Sequence, residues 1–238
     1  MLLRVIRTAV VYVVLAALSP SRALAQEVAD GTVPSSRIGA GASFTSETRI
    51  PPSPHMFGVL PNYTTVEEGD IAARISTKQT FQIATLGSFD PYVFPFVGVV
   101  SAMNHAPGQS YAQRYMTSLA DNAIGNYLTT AVMPLAMGQD PRYFESGKGS
   151  LPRRFAYAAS RSVITRGRSG RTQFNASEIG GNALAATVSN LYYTPSERTV
   201  TGTLTRWGTQ VMWDTLSNEM KEFWPDIRAK LNRRATLP

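Results

Sequence analysis

The chain has 238 residues, of which 43% are hydrophobic, and it carries a formal net charge of +7. A chain of this length and composition can bury a complete core, which excludes disorder throughout. It contains no cysteine, so disulfides, thiolate metal sites and cysteine nucleophiles are excluded as well. Only two histidines are present, and no two-histidine helical metal motif, serine-hydrolase motif or phosphate-binding glycine loop occurs. We therefore expect neither a metal nor a cofactor.

The first 25 residues have the three parts of a secretory signal peptide. Arg4 and Arg7 give a basic start, an apolar run follows at 8–18, and the Ala-Leu-Ala sequence at 23–25 forms a small-x-small cleavage site. The apolar run is shorter than the ~20 residues that a bilayer span requires, which argues against an uncleaved anchor. We expect Sec-type export to the periplasm or to the periphery of the inner or outer membrane.

Export would remove much of the positive charge. Without the signal peptide the net charge is only +4, because three arginines and no acidic residues are lost. This balance does not predict binding to nucleic acid. It is compatible with the envelope membrane, anionic lipid or another envelope protein as a partner. Residues 26–62 are rich in Gly, Ser, Thr and Pro, which predicts a flexible or extended lead-in before a single domain at 63–238.

Hydrophobic periodicity predicts an all-α domain, a compact bundle of about five helices. The beginning of the domain is ambiguous, and there we expect a short helix at 66–75 followed by an extended piece at 76–85. Longer helices are predicted at 92–103, 111–133, 151–165, 178–192 and about 200–223. The last of these should break or kink at Trp224-Pro225-Asp226 before a final turn or two. Its predicted inner face consists of Leu204, Trp207, Val211, Leu216 and Met220.

Two of these helices carry almost no charge. The run 179–196 has none, and the helix at 111–133 is nearly apolar after Asp121. Such helices are covered on most sides by protein or by lipid. Small residues recur four apart in the later helix, a pattern that permits close backbone approach in a membrane or in a soluble core. This predicted helix-packing stripe is Gly181, Ala185 and Ser189.

The N-terminal ends of the two uncharged helices carry residues typical of helix caps. Ser110 is the expected N-cap of the first uncharged helix, and either Asn175 or Ser177 is that of the second. A basic, glycine-containing loop precedes the second helix. Its arginines could hold phosphate or sulfate headgroups, or they could form a solvated loop. These candidate anion contacts are Arg166, Arg168 and Arg171.

Candidate catalytic residues are few. Asp121 and Glu178 each lie at the polar edge of an uncharged helix, and two such carboxylates could act as general acid and base on a polysaccharide. Their structural alternatives are an ion pair with an arginine for Asp121 and a favourable helix-dipole position for Glu178. His105, in a predicted loop, could donate a proton or could be purely structural.

Four short motifs stand out between residues 80 and 230. They are DPRYF at 140–144, SGRTQFN at 169–175, RWGTQ at 206–210 and KEFWPD at 221–226. Together they resemble a family of uncharacterised exported bacterial proteins. The resemblance implies an envelope protein of this architecture and implies no catalytic residue.

Three functions remain open. The favoured one is a non-enzymatic, membrane-associated structural or interaction component of the envelope, in which the helices at 111–133 and 178–192 pack together. The second is a soluble periplasmic binding or scaffolding domain, whose interior would satisfy the asparagines of these helices. The third is a cell-wall or lipid hydrolase that uses Asp121 or Glu178.

Overall fold

Helices make up most of the fold, which confirms the all-α class predicted from periodicity. The computed structural model describes residues 55–68, 74–103 and 108–235. The predicted signal peptide, most of the predicted lead-in and His105 lie outside the described residues.

Helix α6 has more helical neighbours than most of the other helices. In chain order the helices are α1 (Thr77–Phe89), α2 (Val93–Met103), α3 (Tyr111–Asn126), α4 (Met133–Met137), α5 (Leu151–Ser160), α6 (Ala176–Ser189) and α7 (Val200–Ala235). A π-helical segment, Tyr127–Val132, joins α3 to α4. Helix α6 packs against α3, this π segment, α4 and α7. The two uncharged helices predicted from the sequence therefore lie side by side.

In the part of the chain that the structure describes, six short strands supplement the helices. They form three pairs: β1 (His55–Met56) with β2 (Leu60–Pro61), β3 (Thr65–Val66) with β4 (Tyr143–Phe144), and β5 (Ile164–Arg166) with β6 (Thr172–Phe174). The middle pair is parallel and the other two are antiparallel. The β1–β2 hairpin falls within the residues assigned to the lead-in, yet Met56 is only 2% exposed there.

The extended piece predicted at 76–85 is wrong, because this region belongs to α1. The Ser76 side chain accepts the backbone N–H of Gln79 at 3.2 Å, and the Gln79 side chain accepts the N–H of Ser76 at 2.9 Å. This capping box starts the helix. The buried positions Thr80, Ala84 and Ser88 then recur four apart, the period of a helix rather than a strand.

The ends of several other elements also differ from the predicted ones. Val66 lies in β3 rather than in a helix, because it pairs with Phe144 of β4. The helix that starts at the predicted N-cap Ser110 continues through the π segment to Met137 instead of ending at 133. Helix α5 ends at Ser160 because the chain turns there into the β5–β6 hairpin.

The ends of the last two helices differ from the prediction as well. Helix α6 spans Ala176–Ser189, and its N-cap is Asn175, whose side chain accepts the N–H of Glu178 at 3.1 Å. Helix α7 continues through Pro225, so of the predicted break or kink the break is wrong. A proline inside a helix costs ~3 kcal/mol. Tertiary contacts on both sides of Pro225 offset this cost.

Those contacts come from Arg154 on α5. Its Nε donates to Glu222 Oε1 at 2.8 Å, and its Nη1 forms an ion pair with Asp226, one turn further along α7. The Glu222 side chain is fully buried. The Tyr143 hydroxyl at 2.7 Å and the Ser146 N–H at 2.9 Å donate to its other oxygen. One buried carboxylate therefore links α7 to α5 and to the loop after β4.

A second close contact holds α6 against the π segment. A Cβ atom at Gly181 would lie 3.0 Å from Thr129 Cγ2 and 3.3 Å from the Thr129 backbone N and Cα. These distances leave no room for a methyl group, which is why glycine is needed at this crossing. Ala185 and Ser189, on the same stripe, are buried as well.

We expect Arg154→Met to destabilise the fold strongly. It leaves the buried Glu222 carboxylate without its cation, a change that typically costs about 3 to 5 kcal/mol. Urea unfolding of this variant measures the loss. The control is Arg153→Met, which changes an exposed neighbour on the same helix and should cost less than about 0.5 kcal/mol. Equal losses for the two variants would show that the buried ion pair has no special role.

We expect opposite effects from alanine at two helical glycines. Gly181→Ala introduces a clash with Thr129 and should lower the free energy of unfolding by about 1 to 3 kcal/mol. Gly208→Ala in α7 meets no atom within 4 Å and should raise it by up to about 1 kcal/mol through helix propensity. Thermal unfolding compares the two, and a stabilised Gly181→Ala variant would contradict the close approach.

Candidate functional site

A cavity of about 1140 Å³ lies within the domain. This volume lies slightly above the range, ~300–1,000 Å³, found for sites that take drug-sized ligands. Its walls come chiefly from α2, α3, α6, α7 and the loops around β4 and β5. The predicted acids Asp121 and Glu178 both line it.

The walls of the cavity are mainly apolar in area, and charged side chains of both signs lie among them. Six carboxylate residues line it, namely Asp121, Asp140, Glu178, Glu197, Asp214 and Glu219. Six cationic residues do so as well, namely Arg114, Arg142, Arg161, Arg166, Arg206 and Lys221. Serine, threonine, asparagine and glutamine side chains fill much of the remaining wall. The cavity therefore offers hydrogen-bond donors and acceptors within a mainly apolar lining.

Glu178 belongs to a group of four polar residues. The Asn182 amide nitrogen donates to Glu178 Oε1 at 3.1 Å and to Asp214 Oδ2 at 2.8 Å, so it bridges the two carboxylates. Lys221, two turns beyond Asp214 on α7, lies close enough to interact with both charges. Asp214 and Lys221 were not predicted from the sequence. We call Glu178, Asn182, Asp214 and Lys221 the carboxylate cluster.

Burial controls the protonation of the carboxylate cluster. The pKa of Glu178 is raised well above its ordinary value, chiefly because the protein removes water from the carboxyl group and secondly because Asp214 is beside it. Burial likewise lowers the pKa of Lys221, against the opposing effect of the two carboxylates. A protonated Glu178 can donate to Asp214, so the pair can share one proton.

Asp121 has different partners from those expected. Its two carboxylate oxygens accept the hydroxyls of Tyr192 and Tyr193, each at 2.5 Å. Among the described residues no arginine forms an ion pair with it, although the charge of Arg206 is near enough to lower its pKa. Arg206 instead stacks over the Tyr193 ring, 4.2 Å from its centroid. Burial raises the pKa of Asp121, and the two tyrosine hydroxyls oppose this rise.

The three predicted anion-binding arginines lie on the β5–β6 hairpin and its turn. All three are exposed. Arg166 also lines the cavity, and its guanidinium lies over the Phe144 ring, 4.4 Å from the centroid. The backbone N–H of Arg168 donates to the Gly138 carbonyl, and the backbone carbonyl of Arg171 accepts the N–H of Gly167. The hairpin therefore keeps the arginines near one another on its surface.

A histidine in the predicted lead-in has a carboxylate partner that sequence reasoning did not find. His55 Nε2 lies 2.7 Å from Asp90 Oδ2, and the Tyr63 hydroxyl donates to the same oxygen at 2.6 Å. Asp90 also accepts the Tyr92 N–H at 2.9 Å. No local pattern could reveal this contact, because 35 residues separate His55 from Asp90. Within the described residues, no three metal-binding side chains converge on a possible metal site.

The inward face of α7 also differs from the prediction. Leu204, predicted to face the core, is 55% exposed. Trp207, of the same predicted face, donates its indole N–H to the Ile179 carbonyl of α6 at 3.1 Å, and Leu216 and Met220 line the cavity. Arg206, Gln210 and Asp214 line the cavity as well, at intervals of four residues. The regular spacing of these polar residues is the sequence signal that could have revealed the site.

The surface also carries an apolar stripe. On α2, Phe96, Val99 and Met103 are 44%, 60% and 79% exposed, and their spacing places them on one face. Phe96, at one end of this stripe, also lines the cavity, where its ring meets that of Trp213 edge-on with 6.0 Å between the centroids. Helix α2 contains no charged residue. Among the described residues, no single helix is long and apolar enough to cross a membrane. The consecutive pair α1 and α2, bent by 54°, meets the length and composition criteria together.

No family model, curated protein or solved structure matches this chain. The resemblance carried by the four motifs therefore stays a prediction. The structure nevertheless shows where parts of these motifs lie: Tyr143 and Glu222 meet in the buried network around Arg154, and Arg206 and Gln210 line the cavity.

We expect Glu178→Gln to stabilise the protein increasingly as the pH rises. Since the folded state raises the pKa of Glu178, wild-type stability should fall between the unfolded pKa of glutamate, ~4.3, and the higher folded value. Glutamine does not titrate and can still donate to Asp214. A tenfold difference between the acid constants of the folded and unfolded states corresponds to about 1.4 kcal/mol of stability.

Urea unfolding at pH 4 and pH 8 measures this difference between variant and wild type. The control is Glu68→Gln, which removes an exposed ion pair with Lys148 and should change stability by less than about 1 kcal/mol. A Glu178→Gln variant that is less stable than wild type at pH 8 would contradict the predicted cost of ionising Glu178.

Proposed function

We propose that this protein is an exported, non-enzymatic component of the cell envelope that attaches to the membrane through the exposed face of α2. The observation that carries the proposal is the stripe of Phe96, Val99 and Met103 on a helix without charge. A surface helix of a protein surrounded by water normally places a charged or polar face outward. Contact with lipid accounts for the apolar face.

The geometry of α1 and α2 supports shallow attachment. The two helices meet at a bend of 54° and together have the length and composition of a broken apolar segment. The polar side chains of Ser88 and Ser101 are fully buried against protein and would stay away from lipid. The C-terminal part of α7 exposes charged residues such as Lys230 and therefore suits water. Attachment along α2 would place its apolar stripe against lipid and leave the charged end of α7 in water.

The hydrolase hypothesis receives less support from the geometry. Both oxygens of Asp121 already accept tyrosine hydroxyls, which leaves little capacity to act as a base. Glu178 is tied to Asn182 and lies beside Asp214. Export itself is proposed on the signal-peptide pattern at 1–25.

We expect the triple variant F96S/V99S/M103S to lose most of its binding to lipid vesicles. Each side chain can bury on the order of 100 Å² of apolar area at about 25 cal/mol per Å², so the partition coefficient should fall by more than about tenfold. Flotation with phosphatidylethanolamine and phosphatidylglycerol vesicles measures it. The protein is used without residues 1–25, since Glu47–Pro238 forms a compact unit of its own.

The matched control replaces three exposed apolar residues elsewhere. Leu151, Val200 and Leu231 are 68%, 78% and 50% exposed, so L151S/V200S/L231S removes a similar apolar area. This control should float like the wild type. Sedimentation velocity tests the alternative that a second copy of the chain, rather than lipid, covers the apolar stripe of α2. A dimer that dissociates in the α2 variant, without any flotation of the wild type, would refute membrane attachment.

A further inference from the structure

The mainly apolar lining of the cavity indicates an apolar occupant. Apolar side chains reach it from the β1–β2 hairpin, α1, α2 and α7. An apolar wall offers water no hydrogen bonds, so contact with a hydrocarbon is favoured there. The apolar residues that α2 and α7 contribute include Val93, Val97, Val100, Trp213, Leu216 and Met220.

Open space lies beside Gly125, near the end of α3. This residue is buried and lines the cavity. A Cβ atom added there would have no heavy atom within 4 Å outside the neighbouring backbone of its own helix. The space beside this buried glycine is therefore part of the cavity, and a side chain placed there would fill it without a clash.

Phe96 connects the cavity to the apolar stripe of α2. It lines the cavity together with Trp213, whereas Val99 and Met103 of the same stripe lie outside it. The Phe96 and Trp213 rings keep 44% and 45% of their surface accessible. Because α2 has no charged residue, no charge on this helix separates the outer stripe from the cavity. The acyl chain of a lipid at the stripe is an occupant of matching polarity.

Two arginines of the cavity wall are available to an anionic group. Arg161 stacks over the Tyr157 ring and Arg166 over the Phe144 ring, each 4.4 Å from the centroid. The Tyr157 hydroxyl donates to the Phe144 carbonyl at 2.8 Å, so the two guanidinium groups lie over neighbouring residues. In the part of the chain that the structure describes, neither arginine forms an ion pair. A carboxylate or phosphate head would supply the missing charge.

We propose that the cavity binds the acyl chain of an anionic lipid, with the chain beside Val100, Gly125 and Trp213 and the head held by Arg161 and Arg166. The choice of a lipid rests on the proposed function, because contact between membrane and the α2 stripe is the source of the chain. A free fatty acid and a whole phospholipid share this chemistry.

Fluorescence titration with cis-parinaric acid, a fatty acid whose emission rises in an apolar site, tests the proposal. The protein is used without residues 1–25 and without detergent, because detergent chains would compete. Binding should saturate below the concentration at which the probe aggregates. Laurate, myristate and palmitate should displace the probe, with a Kd that falls about fourfold for each added methylene. The absence of saturable binding would overturn the proposal.

Two substitutions should obstruct the cavity. Gly125→Leu and Val100→Phe each occupy the room of several methylenes and should weaken probe binding by about tenfold or more. The matched controls lie outside the cavity: Gly208→Leu, where an added Cβ also meets no atom within 4 Å, and Val200→Phe, at a residue that is 78% exposed. Both controls should stay within about twofold of wild type, and circular dichroism compares the helical content of all four variants. Cavity variants that bind as tightly as their controls would overturn the proposal.

A second pair of variants tests the head. R161M/R166M should weaken palmitate binding by about fivefold or more through the loss of two charge-assisted contacts. The control R168M/R171M changes two exposed arginines of the same hairpin that do not line the cavity, and it should bind like wild type. Equal affinities of the two double variants would contradict an anionic head.

Native mass spectrometry distinguishes the two sources of the chain. One sample is incubated with palmitate and another with the phosphatidylethanolamine and phosphatidylglycerol vesicles used for flotation. A retained mass of palmitate or of phosphatidylglycerol supports the proposal and identifies the source, whereas protein that retains neither overturns it. Palmitate binding without flotation would refute membrane attachment alone, and flotation without palmitate or phosphatidylglycerol binding would refute the cavity proposal alone.

Discussion

The fold depends on one buried ion pair, Arg154 with Glu222. Each charge has lost its water, and a buried charge without a partner would cost several kcal/mol. The pair is stabilised by hydrogen bonds from the Tyr143 hydroxyl and from the backbone of the loop after β4. It fixes the position of α7 through the turn that contains Pro225, and α7 in turn supplies most of one cavity wall. The predicted break at that proline fails for this reason.

Polarity is distributed in an unusual way between the interior and the surface. Charged residues such as Asp140, Arg142 and Glu222 are buried, whereas Val99 and Met103 are exposed. A protein that contacts only water gains most of its stability from the reverse arrangement. The proposed contact with lipid accounts for the apolar stripe of α2.

The sequence was sufficient for the fold class, the packing of the two uncharged helices and the N-cap at Ser110, because these depend on periodicity and on local caps. It was misleading at 76–85, where alternating polar residues concealed a capping box, and at Pro225, where tertiary contacts outweigh propensity. Glu178 was identified as a candidate, but its partner Asp214 was not, since the contact joins residues far apart in the chain. The same holds for His55 and Asp90.

Membrane attachment through α2 can be measured directly by spin labelling. Since the chain has no cysteine, single substitutions Val99→Cys and Leu231→Cys place one label on the α2 stripe and one on α7. Both positions are exposed, at 60% and 50%. With vesicles present, a label at position 99 should become accessible to oxygen and shielded from a water-soluble nickel complex, while a label at 231 stays accessible to nickel. Equal nickel accessibility at the two positions would contradict contact between α2 and lipid.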